Sequence, residues 1–161
     1  MPADAFAVSP YASNATVKVA LAAATTKTVL QIATPATTDI VVVAWGISFD
    51  ASAAGGEATV ELLETDVAAT VTSVTPVKYF DPLGPASLCV GGTSATGYNA
   101  TAEGTITATR ILDAQLVNIQ TGYAVYYPPG FWPRMSISKF LRVRVNSPAV
   151  VNCLPWVIIQ E

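Results

Sequence analysis

The sequence predicts an all-β chain: an antiparallel β-sandwich, jelly roll in type, in one domain with an extended N-terminal arm. Three observations carry that expectation. Apolar and polar residues alternate with period two, as in Leu141, Val143 and Val145 against Arg142 and Arg144. The runs are short and β-branched, and turns rich in Gly, Pro, Ser and Thr separate them. No segment shows the 3.6-residue apolar period of a helix. The arm is assigned to residues 1–14 and the sandwich to residues 15–161.

The arm is small and polar, with Pro2 and Pro10 and two spaced aromatics, Phe6 and Tyr11. It reads either as a loose end or as a segment that docks on a neighbour. Thr16–Leu21 alternates Val17, Val19 and Leu21 with Thr16 and Lys18, and is expected to be a strand, followed by a turn over Ala22–Ala24. Thr28–Ala33 is a second strand, closed by Thr34-Pro35. Asp39–Asp50 is the strongest strand of the first half, with Val41, Val43, Trp45, Ile47 and Phe49 assigned to the core. On its other face Gly46 suggests a bulge or a close backbone approach. Glu57–Thr65 returns as its hairpin partner, with Ala58, Val60 and Leu62 inward.

Asp66–Thr75 is ambiguous, Val77–Phe80 suggests a short strand, and Asp81-Pro82-Leu83-Gly84-Pro85 is a breaker. Gly91–Gly97 is glycine-rich but lacks a Gly-Lys-Ser/Thr step, a helix pattern after it, and any Lys between Lys78 and Lys139. A phosphate-binding loop is therefore excluded. Gly104–Arg110 is expected to be a strand with a hydroxyl face. Gln115–Gln120 and Tyr123–Tyr127 flank Thr121-Gly122 as a hairpin. Pro128–Arg134 is a stiff loop in which Phe131 and Trp132 either cap the end of the fold or stand out as contact anchors. Neighbouring Tyr126, Tyr127 and Arg134 are of the types enriched at contact hot spots. Val150–Ile159 is almost wholly apolar, as in a strand covered on both sides or meeting a neighbouring subunit. Trp156 and Ile158 are its candidate interface residues. Arg142 and Arg144, the one basic pair in an acidic chain, are read as a solvated strand face or as a contact with another subunit.

Composition bounds the function. The 161 residues suit a single domain. They are 52% hydrophobic and 12% charged, against roughly 25% charged in ordinary domains, so part of the surface is expected to be hidden in an oligomer or assembly. Mean hydropathy is +0.47, yet no apolar run nears the ~20 residues of a membrane span, and no membrane partner is expected. A net charge of −3 with no basic run argues against nucleic acid. The N-terminus shows neither a basic nor an apolar signal region, so no secretory leader is expected. Cys89 and Cys153 each sit beside apolar residues and are read as buried free thiols, with a disulfide between them as the alternative.

Catalytic chemistry finds little to work with. The chain has no His, which removes the triads, His general bases and, with two Cys, the usual zinc sites. Glu57, Glu61, Glu64 and Asp66 cluster, but Glu57 and Glu61 fall on an outward strand face beside a Gly loop, where solvated charge is ordinary. Asp50 with Glu57 is too thin for calcium, and Cys89 lacks a base. No enzyme activity, cofactor or metal is expected.

Two stretches carry a resemblance. Phe140–Val145, the Asn146–Ala149 turn and the apolar strand with Trp156 ending in Gln160-Glu161 form one. Thr34–Phe49 followed by Gly55-Gly56 and Glu57–Thr65 form the other. Together they resemble β-sandwich proteins encoded among the head genes of tailed bacteriophages, especially phages of actinobacteria. The resemblance covers about half the chain and does not extend to Asp66–Gly104. It implies a capsid decoration, or cement, protein: a structural virion protein on the outer surface of the head, assembled in the host cytoplasm. Its implied partners are the major capsid protein and further copies of itself, as a trimer. A carbohydrate- or receptor-binding module of a phage tail or adhesin is the alternative, with Tyr126, Tyr127, Phe131 and Trp132 as a sugar platform.

Overall fold

The computed structural model describes residues 10–53 and 55–161. Thirteen strands and no helix form among them. In chain order they are β1 (Tyr11–Asn14), β2 (Val19–Leu21), β3 (Thr26–Ala33), β4 (Ile40–Phe49), β5 (Glu57–Thr65), β6 (Thr70–Ser73), β7 (Val77–Lys78), β8 (Gly97–Ala102), β9 (Thr109–Asn118), β10 (Gly122–Tyr126), β11 (Arg134–Met135), β12 (Phe140–Asn146) and β13 (Val151–Gln160).

Two sheets stack face to face. The seven-stranded sheet runs β10-β4-β13-β1-β7, with β11 also on β4 and β2 also on β13; the six-stranded sheet runs β6-β8-β3-β12-β5-β9. Every pairing between these strands is antiparallel. The expected sandwich is therefore present. With β1/β2 and β10/β11 each taken as one position and β6–β8 set aside, eight positions remain. Their order is first-eighth-third-sixth in one sheet and second-seventh-fourth-fifth in the other. The segment β6–β8 extends both sheets on the same side, next to β1 and β3.

Between the sheets lies one continuous core of Val19, Leu21, Leu30, Ile32, Trp45, Ile47, Val60, Leu62, Leu141, Val143, Val145, Val157, Ile159 and their neighbours. Burying each aliphatic side chain of this size contributes about 1.5–3 kcal/mol. Ala58, Val60, Leu62, Leu141, Val143 and Val145 point inward as the alternation requires. Cys89 and Cys153 are buried free thiols, both pushed up by burial, Cys153 to about 12.

Six expectations change. Glu57–Thr65 is not the hairpin partner of Asp39–Asp50, and Gln115–Gln120 does not pair with Tyr123–Tyr127: β4 and β10 lie in the seven-stranded sheet and β5 and β9 in the six-stranded one, so both turns carry the chain from one sheet to the other. Tyr11–Asn14, assigned to the arm, is strand β1, paired to Ile159–Trp156 of β13. Val17 is 58% exposed, because the chain leaves the sheet between β1 and β2. The break falls beside Pro155, which has no N–H to give a ladder; there Ala15 N–H donates to the Pro155 carbonyl at 3.2 Å. A bulge between Ile158 and Ile159 shifts the register along β4, so that Ile40 and Val42, not Val41 and Val43, share the core with Trp45 and Ile47. Gly104–Arg110 is a strand only from Thr109 onward. Thr107 Oγ1 and the N–H groups of Thr107 and Ala108 donate instead to the Asp66 carboxylate.

The two ends of residues 66–104, on the way to β6 and back from β8, cross the outside of the six-stranded sheet and are held there by buried polar groups. Arg142, fully buried, donates from Nη1 to Glu103 Oε2 (3.0 Å) and from both Nη atoms to the Glu103 carbonyl (3.1 Å each). Nη2 also donates to the Val67 carbonyl. Thr28 N–H and Oγ1 donate to the Glu103 carboxylate at 2.6 and 2.5 Å. Buried Gln31 accepts from Ala69 N–H (2.8 Å) and donates to the Ala95 carbonyl (2.7 Å). Ala69, Val71 and Ala100 make a small second core beneath the crossing.

Glu103→Ala leaves the Arg142 guanidinium buried without its carboxylate. The expected loss is about 2–3 kcal/mol, below the 3–5 typical of a broken buried pair because the Glu103 side chain is 34% exposed. Urea unfolding checks it; an unchanged midpoint refutes the clamp. The Thr107 hydroxyl, aided by the backbone N–H groups, lowers the Asp66 pKa from 3.8 to about 2. A depressed carboxylate stabilises the fold above its unfolded value, and that stability is lost as pH falls through the folded value. Unfolding midpoints should therefore drop between pH 4 and pH 2, with a shallower slope in Asp66→Asn.

Candidate functional site

Two surfaces stand out, and both are built on the seven-stranded sheet. The first is the loop that leaves β7. Val77, Tyr79, Phe80, Leu83, Leu88 and Val90 are all exposed, Leu83 at 95%. Exposed apolar side chains scattered singly are normal; six within one loop are not. The loop is also shaped. Tyr79 and Phe80 meet edge to face with centroids 4.7 Å apart. Asp81 turns the chain, accepting from Leu83 N–H at Oδ1 and from Gly84 N–H at its carbonyl, both 3.1 Å.

Three attachments fix this loop to the sandwich. The Tyr11 hydroxyl donates to the Pro85 carbonyl at 3.1 Å, and Lys78 Nζ lies 4.2 Å from the Tyr11 ring centroid. Tyr79 N–H donates to the Pro10 carbonyl at 2.9 Å. At the end of β13, the Glu161 carboxylate accepts from Ser87 Oγ, from Leu88 N–H at 2.8 Å and from Cys89 N–H at 3.3 Å.

The second surface is the outer face of the same sheet. Trp156 lies flat on β4: a Cβ placed on Gly46, its neighbour across the ladder, would sit 2.6–2.7 Å from the indole atoms Cζ2, Cε2 and Nε1. No other residue type leaves room for the ring there. Tyr126, 67% exposed on β10, packs beside it with centroids 5.7 Å apart and planes tilted by 41°.

The residues singled out from sequence scatter. Phe6 lies outside the described residues. Tyr11 is not an exposed anchor but is 4% exposed, facing the core. Arg142 is neither a solvated face nor a contact; it is the buried clamp under residues 66–104. Arg144 is half-buried and paired with Glu61 at 2.9 Å. Ile158 is covered within the chain, 6% exposed beside Ala12 and Ala44. Arg134 is exposed and pairs with Asp39 at 3.1 Å. Trp132 folds back, its Nε1 donating to the Tyr127 carbonyl at 2.9 Å, whereas Phe131 is 76% exposed.

Tyr127 belongs to a polar knot at one end of the core. Its hydroxyl (3.4 Å), the Tyr123 hydroxyl (2.9 Å) and Trp45 Nε1 (3.2 Å) all donate to Asp113 Oδ2. Burial, with Asp113 adding to it, pushes Tyr123 up to about 12, and burial raises Tyr127 as well. Of the four aromatics expected to form one platform, then, Tyr127 and Trp132 are engaged inward. Tyr126 pairs instead with Trp156.

A polar cleft of about 580 Å³ opens beside Arg110, Arg134 and Ser136. Both its arginines are paired, Arg110 to Glu64 and Arg134 to Asp39. Burial raises the Glu64 pKa, but the Arg110 hydrogen bond and Ser136 N–H together hold it below the usual range. No group of three or more His, Cys, Asp or Glu side chains among the described residues could hold a metal ion. No helix among them is long and apolar enough to cross a membrane.

The apolar loop was the feature missed in the sequence. Its signal is Tyr79, Phe80 and Leu83 set within a Pro/Gly breaker, where polar residues are the rule. Glu161→Ala should free it: exchange of the Leu88 and Cys89 amides accelerates about tenfold, equivalent to ~1.4 kcal/mol, while core amides keep their protection. Uniform acceleration throughout the chain would refute a local staple. No family model, curated protein or solved structure matches the chain.

Proposed function

We propose that the protein is a structural virion protein: a decoration, or cement, protein on the outer surface of a tailed-phage head. It acts by contact, without catalysis, bridging major capsid subunits as a homo-oligomer, a trimer at threefold points. The observation that carries this reading is the apolar loop 77–90. An exposed hydrophobic projection held rigid by hydrogen bonds is suited to seat in a neighbouring protein, because little ordering entropy is lost on docking. Pro10, where the described chain begins, accepts from Tyr79 N–H of this loop.

Two further features support the reading. We read the eight-position strand order as a jelly roll with an insertion between its fourth and fifth strands. That architecture serves viral capsid and lectin domains, among others. The low charge, 12%, suits a surface covered by neighbours. The alternative, a carbohydrate- or receptor-binding module using Tyr126, Tyr127, Phe131 and Trp132, has less support. The geometry separates those four rings.

Expanded heads of the phage whose genome carries this sequence are the test material. Wild-type protein should co-sediment with them as an oligomer, and Phe80→Ser/Leu83→Ser should lose at least about tenfold in affinity with unchanged thermal unfolding. A monomer with no affinity for heads would refute the function. Heads bound equally well by the double variant would refute the role of the loop.

A further inference from the structure

We infer that the Trp156–Tyr126 surface is a binding site for a neutral sugar, with a pyranose ring stacked on the exposed side of the Trp156 indole. This site lies apart from loop 77–90 and does not rest on attachment to a phage head. The argument starts from Gly46. The missing Cβ lets the indole lie flat on β4, with one side against backbone and the other facing outward. Trp156 is half-buried, and its outward orientation is fixed by the central strand β13. A large ring held flat on a rigid strand presents a preformed plane, which is the geometry a stacking ligand requires.

The groups around the ring define the ligand. Trp156 Nε1, the Tyr126 hydroxyl, the Asn14 amide and the Ser48 hydroxyl make no hydrogen bond within the described residues. Asn14 lies directly opposite Trp156 across β1, and Ser48 opposite Leu154 across β4. They supply donors and acceptors at the margin of an apolar plane. The positions between them are small, Ala44, Gly46 and Ala124, and none of these residues is ionisable.

Such a surface suits a molecule that is neutral, rich in hydroxyls and apolar on one face. A pyranose has that division: its axial C–H bonds lie against the aromatic plane while its equatorial hydroxyls reach outward to the marginal groups. A nucleic acid fits poorly, since bases would stack but the phosphates would meet an acidic protein, and Lys18, which lies near Ser48, is already paired with Asp50 at 2.8 Å. A second copy of the chain fits poorly for another reason. An apolar protein face laid on it would bury those marginal donors and acceptors without partners.

The experiment uses the full chain and a glycan array carrying neutral and anionic oligosaccharides. Titration with the best neutral hit follows, read by tryptophan fluorescence. Wild-type protein should bind at least one neutral pyranose glycan. Trp156→Ala should weaken binding at least about tenfold, and Trp156→Phe less. Gly46→Val, which lifts the ring off the strand without removing it, should also weaken binding. Thermal unfolding of Trp156→Ala shows whether the fold persists. If that variant is unfolded, Tyr126→Ala, at the exposed margin of the site, decides in its place. The proposal is overturned if no neutral glycan binds, if only anionic glycans bind, or if binding survives loss of Trp156 or, in its place, of Tyr126.

Discussion

One buried guanidinium determines how the outer side of the six-stranded sheet is organised. Arg142 sits at the centre of β12 and pairs across the ladder with Gln31 on β3 and Leu63 on β5, so it has no route to water. Burying a charge in this way costs several kcal/mol unless it is neutralised and hydrogen-bonded. Glu103 neutralises it, and the carbonyls of Val67 and Glu103 take the remaining Nη hydrogens; only Nε lacks a partner. A lysine could carry the charge but could not reach two carbonyls and a carboxylate from one planar fork. The pair adds little net stability over an apolar alternative. What it specifies is the position of the crossing: Val67 and Glu103 stand near its two ends, and one side chain holds both.

That clamp explains how a long excursion remains compatible with a compact sandwich. The chain leaves β5 at Thr65 and returns beside it as β9 only at Thr109. Closing so long a segment costs conformational entropy, though the cost grows only slowly with length. Arg142 ties its ends, Gln31 ties its middle, and Asp66 ties the return through Thr107 and Ala108. With its base fixed, the segment can present loop 77–90 at the β7 edge of the other sheet. The loop is held by Tyr11 and Glu161, which lie close to the beginning and the end of the described chain. Its rigidity is therefore a property of tertiary structure and not of its own sequence.

This is why the sequence revealed some of the fold and hid the rest. Period-two alternation marks a strand when one face is apolar, and it placed β5 and β12 correctly down to the inward residues. It cannot register a bulge, because one extra residue reverses the two faces beyond it. That reversal is what moved Val41 and Val43 out of the core. Nor can it find β8, since Gly97–Ala102 carries no large aliphatic residue to alternate, although Tyr98 and Ala100 are buried once the chain folds. Arg142 looked solvated for the same reason: alternation says which face a residue takes, not what covers that face. Gly46 was legible as a close approach, but its partner, Trp156, is distant in sequence and adjacent only in the folded sheet.

The two candidate surfaces divide the seven-stranded sheet between them. β7 and β10 are the outermost strands of the order, about 19 Å apart at ordinary strand spacing. Loop 77–90 leaves from β7, and Trp156 with Tyr126 occupies the half nearer β10. The chemistry of the two differs in kind. The loop exposes aliphatic and aromatic side chains while its polar groups are engaged within the chain, which suits a protein groove that excludes water. The aromatic pair is flat, ringed by hydroxyl and amide groups, and keeps its hydrogen-bonding capacity open to solvent. A hydrophobic protein interface would strand those polar groups at a cost of about 1–3 kcal/mol each, whereas a hydroxylated ligand would satisfy them. One rigid sheet can therefore hold an anchor at one edge and leave the other half facing outward, and the pattern of unsatisfied polar atoms says which half is which.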